Sequence, residues 1–338
     1  MTRVWLAASA VALALAASLG TAAPPDTAAP PGTLPPGTLL PGTALPATAL
    51  PEAAFSVTDD AGRTLRFERP ATRLVTLAPS LTELVFAAGG GATIVGTDTS
   101  SDFPPEARAL PRIGDAGRLD VERILALRPD LVVVWRHGNT ARELEQLETA
   151  GLRLFRLEPQ RLDDVVQAIE RLGGVLGSQA VAGPEAARMR EVLTAQRRRH
   201  AGDPPVRVFY QVWSSPLMTI NRSQIVSEVI ELCGGRNVFA GLAPLVPQVG
   251  TESVLAADPE AILSADERGG TALIRRDVEA APFAVWRRYP RLAALRGGWM
   301  YVLNGDAISR QGPRIVGGVA AVCAALDEVR RERAARPR

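Results

Sequence analysis

The chain of 338 residues contains no lysine; all 38 of its basic residues are arginine. We read that bias as genomic composition and draw no function from it. Histidine, cysteine and tyrosine are also scarce, at two, two and three residues. Neither His137 nor His200 has ligand-spaced partners around it, which argues against a metal site. There is no nucleophile elbow, no phosphate loop and no metal-ligand cluster. Most enzyme classes are therefore left without reacting groups. The net charge of +2 is too small to imply a nucleic-acid partner.

What is present is a large apolar fraction, 46% of the residues, in a chain long enough for two medium-sized domains. Residues 1–23 read as an export signal. Arg3 supplies the positive start, Val4 to Leu19 the apolar run, and Thr21-Ala22-Ala23 the small residues of a cleavage site. The run is shorter than the roughly 20 residues of a spanning helix. A retained anchor is the alternative; no cysteine lies nearby to carry a lipid. Residues 24–52 repeat Pro, Thr, Gly, Ala and Leu without periodicity, as an extended disordered linker does. In an exported chain an even cysteine count suggests a disulfide, here closing 90 residues between Cys233 and Cys323. Such a loop is worth roughly 4–5 kcal/mol in the chain-entropy model. Two buried thiols are the other reading.

One pattern occurs twice. Val121 to Val133 and Thr251 to Leu263 share Glu, Leu, Ala and Pro at a constant offset of 130 residues. Each copy reads as a short helix opening with a Glu (Glu122, Glu252), a proline stop, then an apolar strand. Elsewhere, apolar strands such as Arg73–Ala78, Ile94–Thr97, Leu131–Trp135 and Leu152–Leu157 alternate with helices. Ser80 and Glu83 read as a capping box opening a helix over Leu81–Ala88. The second half repeats the style from Val206 to a closing helix over Gly318–Arg330. The fold expected is α/β: an N-terminal lobe over 53–180 and a C-terminal lobe over 204–331, with mostly parallel sheets. A single long helix over 181–203, starting in earnest after Gly183-Pro184, joins them; 332–338 is a tail. Each lobe shows one carboxylate at an equivalent place.

In parallel sheets, ligands collect beyond the C-terminal strand ends. Those ends carry Pro79, Ser80, Phe103, Trp135, Arg136, Trp213, Asp306 and Arg310. Trp135 and Trp213 facing each other would suit a large flat ligand. The plainer alternatives are that each Trp caps its local core and that Asp306–Arg310 is a local ion pair. Trp286 and Trp299 read as packing residues.

Arg73-Leu-Val-Thr-Leu-Ala-Pro-Ser-Leu-Thr-Glu-Leu-Val-Phe-Ala-Ala-Gly89, Ser101-Asp-Phe-Pro-Pro105 and the segment Leu119–Asn139 together resemble the periplasmic vitamin B12-binding proteins. Glu231–Phe239, Pro247-Gln-Val249 and Pro313-Arg-Ile315 continue the likeness, which covers about residues 54–330. These belong to the ABC-importer substrate-binding proteins with one helical backbone, whose members take cobalamin, haem, ferric siderophores or Zn²⁺/Mn²⁺. The resemblance implies a monomeric periplasmic protein that does no chemistry, needs no cofactor, and moves little on binding. It captures cobalamin or another corrinoid between its lobes. It implies that Cys233 and Cys323 pair, and that Glu122 and Glu252 meet arginines of a membrane permease with its ATPase. The chain departs from the family's aromatic wall at Ser100, Ala116, Val246 and Ala307, and Trp213 stands one place beyond a family Phe aligned with Val212. Haem or a ferric siderophore is the alternative cargo, with Arg136 and Arg310 as anion contacts and Tyr210 or His137 as haem ligands. An exported enzyme using Asp306 is the remote one.

Overall fold

Apolar strands alternating with one-sided helices build two lobes, as the pattern requires. The structure is a computed structural model, and it describes residues 54–115, 118–266 and 273–336. The expected signal (1–23), the linker (24–52) and Ala116 lie outside the described residues.

The first lobe opens with an antiparallel hairpin, β1 (Phe55–Thr58) and β2 (Thr64–Phe67). Its turn is closed by the Asp59 carboxylate, which accepts the N–H groups of Ala61 and Arg63. Then come β3 (Leu74–Thr76), α1 (Pro79–Ala87), β4 (Ile94–Thr97), the two-residue pair β5 (Gly114–Asp115) and β6 (Arg118–Leu119), and α2 (Val121–Ala126). β7 (Leu131–Trp135), α3 (Ala141–Thr149), β8 (Leu154–Leu157) and α4 (Leu162–Leu176) complete it. The sheet runs β4-β3-β7-β8, all parallel. Leu131 to Val134 are fully buried, as expected of a strand covered on both faces.

α5 (Gln179–Arg199) is the connecting helix; its 21 residues span about 31 Å. It buries Ala182, Ala186, Met189 and Leu193 along one edge and is otherwise polar, packing on α4 and α1 on one side and α10 (Ile315–Ala335) on the other. The helix begins before Pro184 rather than after it. Proline forfeits one backbone bond there, and its steric conflict with the preceding residue is smallest when that residue, Gly183, has no Cβ.

The second lobe carries β9 (Val206–Gln211), a small hairpin of β10 (Trp213–Ser214) and β11 (Leu217–Met218), α6 (Ile225–Leu232), β12 (Gly235–Asn237), α7 (Thr251–Ala257) and β13 (Ala261–Asp266). β14 (Ile274–Arg276), α8 (Ala293–Gly297), β15 (Met300–Asn304), α9 (Gly305–Ile308) and α10 follow. The sheet order is β12-β9-β13-β15-β14, parallel except for the edge strand β14. α10 continues to Ala335, so most of the expected tail is helix. A disulfide joins Cys233, at the end of α6, to Cys323 on α10. Trp286 and Trp299 are core residues. Among the described residues no helix is long and apolar enough to cross a membrane.

The sequence repeat is also a conformational repeat. Arg128 and Asp258, 130 residues apart, are the two non-glycine residues with positive φ among those described, at 46° and 39°. Each ends its helix so that the following proline and strand can start. In the first lobe Arg73 donates to the carbonyls of Arg128 (3.1 Å) and Leu127 (2.6 Å), and its own N–H donates to the Asp130 carboxylate (3.0 Å). In the second lobe Arg207 donates to the carbonyl of Asp258 (3.0 Å), and its N–H donates to the Glu260 carboxylate (3.0 Å). The same arginine-and-acid brace therefore fixes α2 to β3 and α7 to β9.

Candidate functional site

The site begins with four buried hydroxyls. Thr82 lies 2.7 Å from Thr76, 2.8 Å from Thr97 and 2.8 Å from Ser101, oxygen to oxygen. This knot ties α1 to the ends of β3 and β4 and fixes the direction of the next residue, Glu83. Pro79 occupies the first turn of α1, and the N-cap is Ala78, with no side-chain bond. The expected Ser80–Glu83 capping box does not form, because the proline moves the helix start forward and sets its φ. Glu83 is left for another partner.

That partner is the other lobe. Glu83 is 1% exposed and accepts two bonds from Arg314, at 3.0 and 2.6 Å, the bidentate geometry that makes arginine–carboxylate pairs strong. Arg310 donates to Glu83 at 3.3 Å and to Asp102 at 3.0 Å, and its other terminal nitrogen lies 3.0 Å from Asp306. Arg314 also lies 3.6 Å from Asp306, and its guanidinium covers the ring of Phe103 at 4.4 Å. Burial pushes the Glu83 carboxyl up, opposed by Arg314 and Arg310. Burial acts upward on Asp102 too, but the bond and charge of Arg310 outweigh it and hold that carboxyl below its usual range. The cluster borders a cavity of about 710 Å³ lined by Asp102, Phe103, Asp306 and Arg314, with Arg188 and Val192 of α5 behind it.

The structure thus brings Phe103, Asp306 and Arg310 together. The Asp306–Arg310 ion pair exists, as part of a larger bridge between lobes. The other expected residues sit apart from it. The Trp135 ring, half-buried at the end of β7, lies so close over Gly138 that a Cβ there would come within 1.9 Å of it. Arg136 points back to the hairpin, donating to the Asp60 carbonyl at 2.8 Å. Trp213 is 56% exposed on the β10–β11 hairpin, with its indole N–H held by the Ser215 carbonyl at 3.0 Å. Pro79 and Ser80 are half-buried one turn before Glu83. Sequence reasoning missed Glu83, Asp102 and Arg314 as site residues. Its signal for them was the position of Asp102 at a strand end and of Arg314 in Pro313-Arg-Ile315.

Tyr210 is buried, with its hydroxyl bonded to Ser309 and burial pushing it up to about 12. His137 is bonded to Glu158. His200, Asp203 and Asp327 come close together, but Arg330 and Arg199 already hold the two carboxylates. Glu122 and Glu252 are both exposed and both occupy the second position of their helices, α2 and α7.

Comparison with known proteins matches the profile of the periplasmic binding protein family to residues 74–290. The chain belongs to that family. A vitamin B12-binding protein of Vibrio parahaemolyticus is 34% identical over 264 residues, covering 78% of this chain and 92% of that one. The crystal structure of the periplasmic vitamin B12 binding protein of Vibrio cholerae superposes with a TM-score of 0.68 at 33% identity, over 77% of this chain and 98% of that one. A periplasmic heme-binding protein from Roseiflexus sp. RS-1 superposes with a TM-score of 0.65 at 26% identity, over 77% and 99%. The two-lobed α/β fold and the likeness to the vitamin B12-binding proteins thus stand as expected.

Proposed function

We propose that this protein captures cobalamin or a related corrinoid between its lobes in the periplasm and delivers it to an ABC permease. The cleaved segment would be residues 1–23, and the working form a monomer. Glu122 and Glu252 are assigned to permease docking. They occupy the same helical position in each lobe, on elements held by the same brace, and among the described residues neither side chain pairs with another side chain. Phe103, Trp135, Trp213, Pro79, Ser80, Asp306 and Arg310 are assigned to the ligand. Arg136 contributes least, since it is tied to the hairpin.

One observation favours a corrinoid over haem or a ferric siderophore. Arg310 and Arg314 are already matched by three carboxylates of the protein. An anionic ligand needs free cations, whereas a corrinoid presents a rim of neutral amides. The two candidate haem ligands are also engaged, Tyr210 in the core and His137 with Glu158. Titration with cyanocobalamin, followed by tryptophan fluorescence, tests the reading. Quenching with a micromolar or tighter constant supports it. No binding at high micromolar ligand, or a hemin absorbance shift at lower concentration than any cobalamin response, overturns it.

A further inference from the structure

The bridge between the lobes has a charge arrangement that the capture of a ligand does not require. Glu83, Asp102 and Asp306 face Arg310 and Arg314, three carboxylates against two guanidinium groups. Both terminal nitrogens of Arg310 are spent on these acids. Arg314 uses Nε and one terminal nitrogen on Glu83, and its face is covered by Phe103. The surrounding cations are occupied as well. Arg112 donates to the carbonyls of Asp98 and Ser101, Arg188 is held by Glu185, and Nε of Arg108 is bonded to the Asp102 carbonyl.

We propose that Glu83 and Asp102 are specificity-determining residues that make the cleft select neutral, amide-bearing ligands and reject carboxylate-bearing ones of the same shape. The proposal rests on the reading of the protein as a corrinoid binder. A ligand carboxylate reaching Arg310 or Arg314 has to displace a protein carboxylate. Glu83 has no route to water at 1% exposure, so displacing it leaves a buried charge without its partner. A ligand carboxamide meets the opposite situation. The side chains of Asp102 and Asp306 are 51% and 25% exposed, and carboxylates of this kind accept N–H groups while remaining paired with arginine. The three acids together therefore exclude one ligand chemistry, and two of them, Asp102 and Asp306, offer acceptors to the other. Glu83 and Asp102 come from one lobe and both arginines from the other, so the filter exists only where the lobes meet.

The test compares the full chain with its Glu83→Gln, Asp102→Asn and doubly substituted variants. The probes are cyanocobalamin, a cobalamin monocarboxylic acid in which one side-chain amide is a carboxylate, and hemin. The wild type should prefer cyanocobalamin over the acid. Each substitution should narrow that preference by roughly tenfold, the size of one screened charge a few ångströms away; Gln and Asn keep a carbonyl acceptor, so cyanocobalamin affinity should fall by less than the preference changes. A purely structural clamp would weaken both cobalamins together and keep their ratio, which overturns the proposal, as does a wild type that does not discriminate. If Glu83→Gln fails to fold, Asp102→Asn carries the test, because that side chain is half exposed. If the wild type binds no cobalamin, the parent reading fails by itself. The filter is then read from hemin, which should bind roughly tenfold tighter to Asp102→Asn; unchanged hemin binding overturns it.

Discussion

Replacing Glu122 and Glu252 by Gln should cut transport without cutting ligand binding. Neither residue touches the lobe bridge, and each is exposed at the second position of a short helix. A carboxylate there interacts with the helix N-terminus by about 0.3–1 kcal/mol. Losing both costs at most about 2 kcal/mol, a minor part of the 5–15 kcal/mol typical of a folded domain. The two contributions are unequal. In α2 the N-cap Asp120 already accepts the Arg123 N–H at 2.9 Å. In α7 the N-cap is Gly250, with no side chain, and the Glu252 carboxylate lies back over it, 3.1 Å from where a Cβ would stand. Glu252→Gln should therefore destabilise more than Glu122→Gln.

Docking should respond far more strongly than folding. A close charge pair across a protein interface couples by about 1.5 kcal/mol or more. Losing one Glu then weakens docking roughly tenfold, and losing both roughly a hundredfold. The assay is uptake of cobalamin by proteoliposomes holding the permease and its ATPase, beside cyanocobalamin affinity measured on the same protein preparations. Uptake should fall at sub-saturating binding protein and recover partly when more is added. Wild-type uptake by the double variant, or a loss of uptake that follows a loss of ligand affinity, refutes the assignment.

Four further outcomes follow from the fold. Replacing Cys233 and Cys323 by Ser should remove roughly 4–5 kcal/mol of stability in the chain-entropy model, read by urea denaturation, because the bridge closes a 90-residue loop. Arg128→Gly should be neutral or stabilising by up to about 1 kcal/mol, since relief of the left-handed conformation exceeds the entropy that glycine adds to the unfolded chain. Asp258→Gly should instead be destabilising by about 1 kcal/mol, because its carboxylate accepts the Ala293 N–H at 2.9 Å. Finally, stability should decline from pH 10 upward. Burial raises Tyr210 to about 12 and, together with Glu328, raises Tyr301 further. The folded state then holds protons that the unfolded state releases above pH 10, so unfolding is favoured as pH rises through that window. An absorbance titration near 295 nm showing both tyrosines ionising at pH 10 in the folded protein would contradict this.

How much could be read beforehand depended on how local each cause was. β7 announces itself because Leu131 to Val134 must be apolar on both faces, and the repeat of α2 in α7 is visible because its brace residues recur with it. The edge strands β12 and β14 were not legible: Gly235-Arg-Asn and Ile274-Arg-Arg have almost no apolar pattern, since an edge needs little. Glu83 is hidden for a different reason. Ser-x-x-Glu has the spacing of a capping box, and nothing local shows that Pro79 will take the first turn or that the acid's partner lies 231 residues away. Trp213 stands exposed, with its indole N–H donating to the Ser215 carbonyl within its own hairpin, a local bond that no apolar pattern in the sequence signals.

The distribution of the repeat separates the two tasks assigned to this protein. What recurs between the lobes is the brace of Arg73 with Asp130 and of Arg207 with Glu260, together with the helices it holds and the Glu each displays. What does not recur is the source of the lobe bridge. In one lobe it comes from the middle of α1 and the loop after β4; in the other it comes from α9 and the start of α10. Two lobes that must present matching carboxylates to one partner are constrained to keep the same frame. Two lobes that close on an asymmetric ligand are not. Substitutions in the bridge can therefore change which ligand is held while leaving the docking frame untouched. Arg73→Ala and Arg207→Ala, by contrast, should loosen α2 and α7 and weaken docking with no change in ligand preference. A shift in the ratio of cyanocobalamin to cobalamin-acid binding in either arginine variant would show that frame and cleft are coupled, and would defeat this separation.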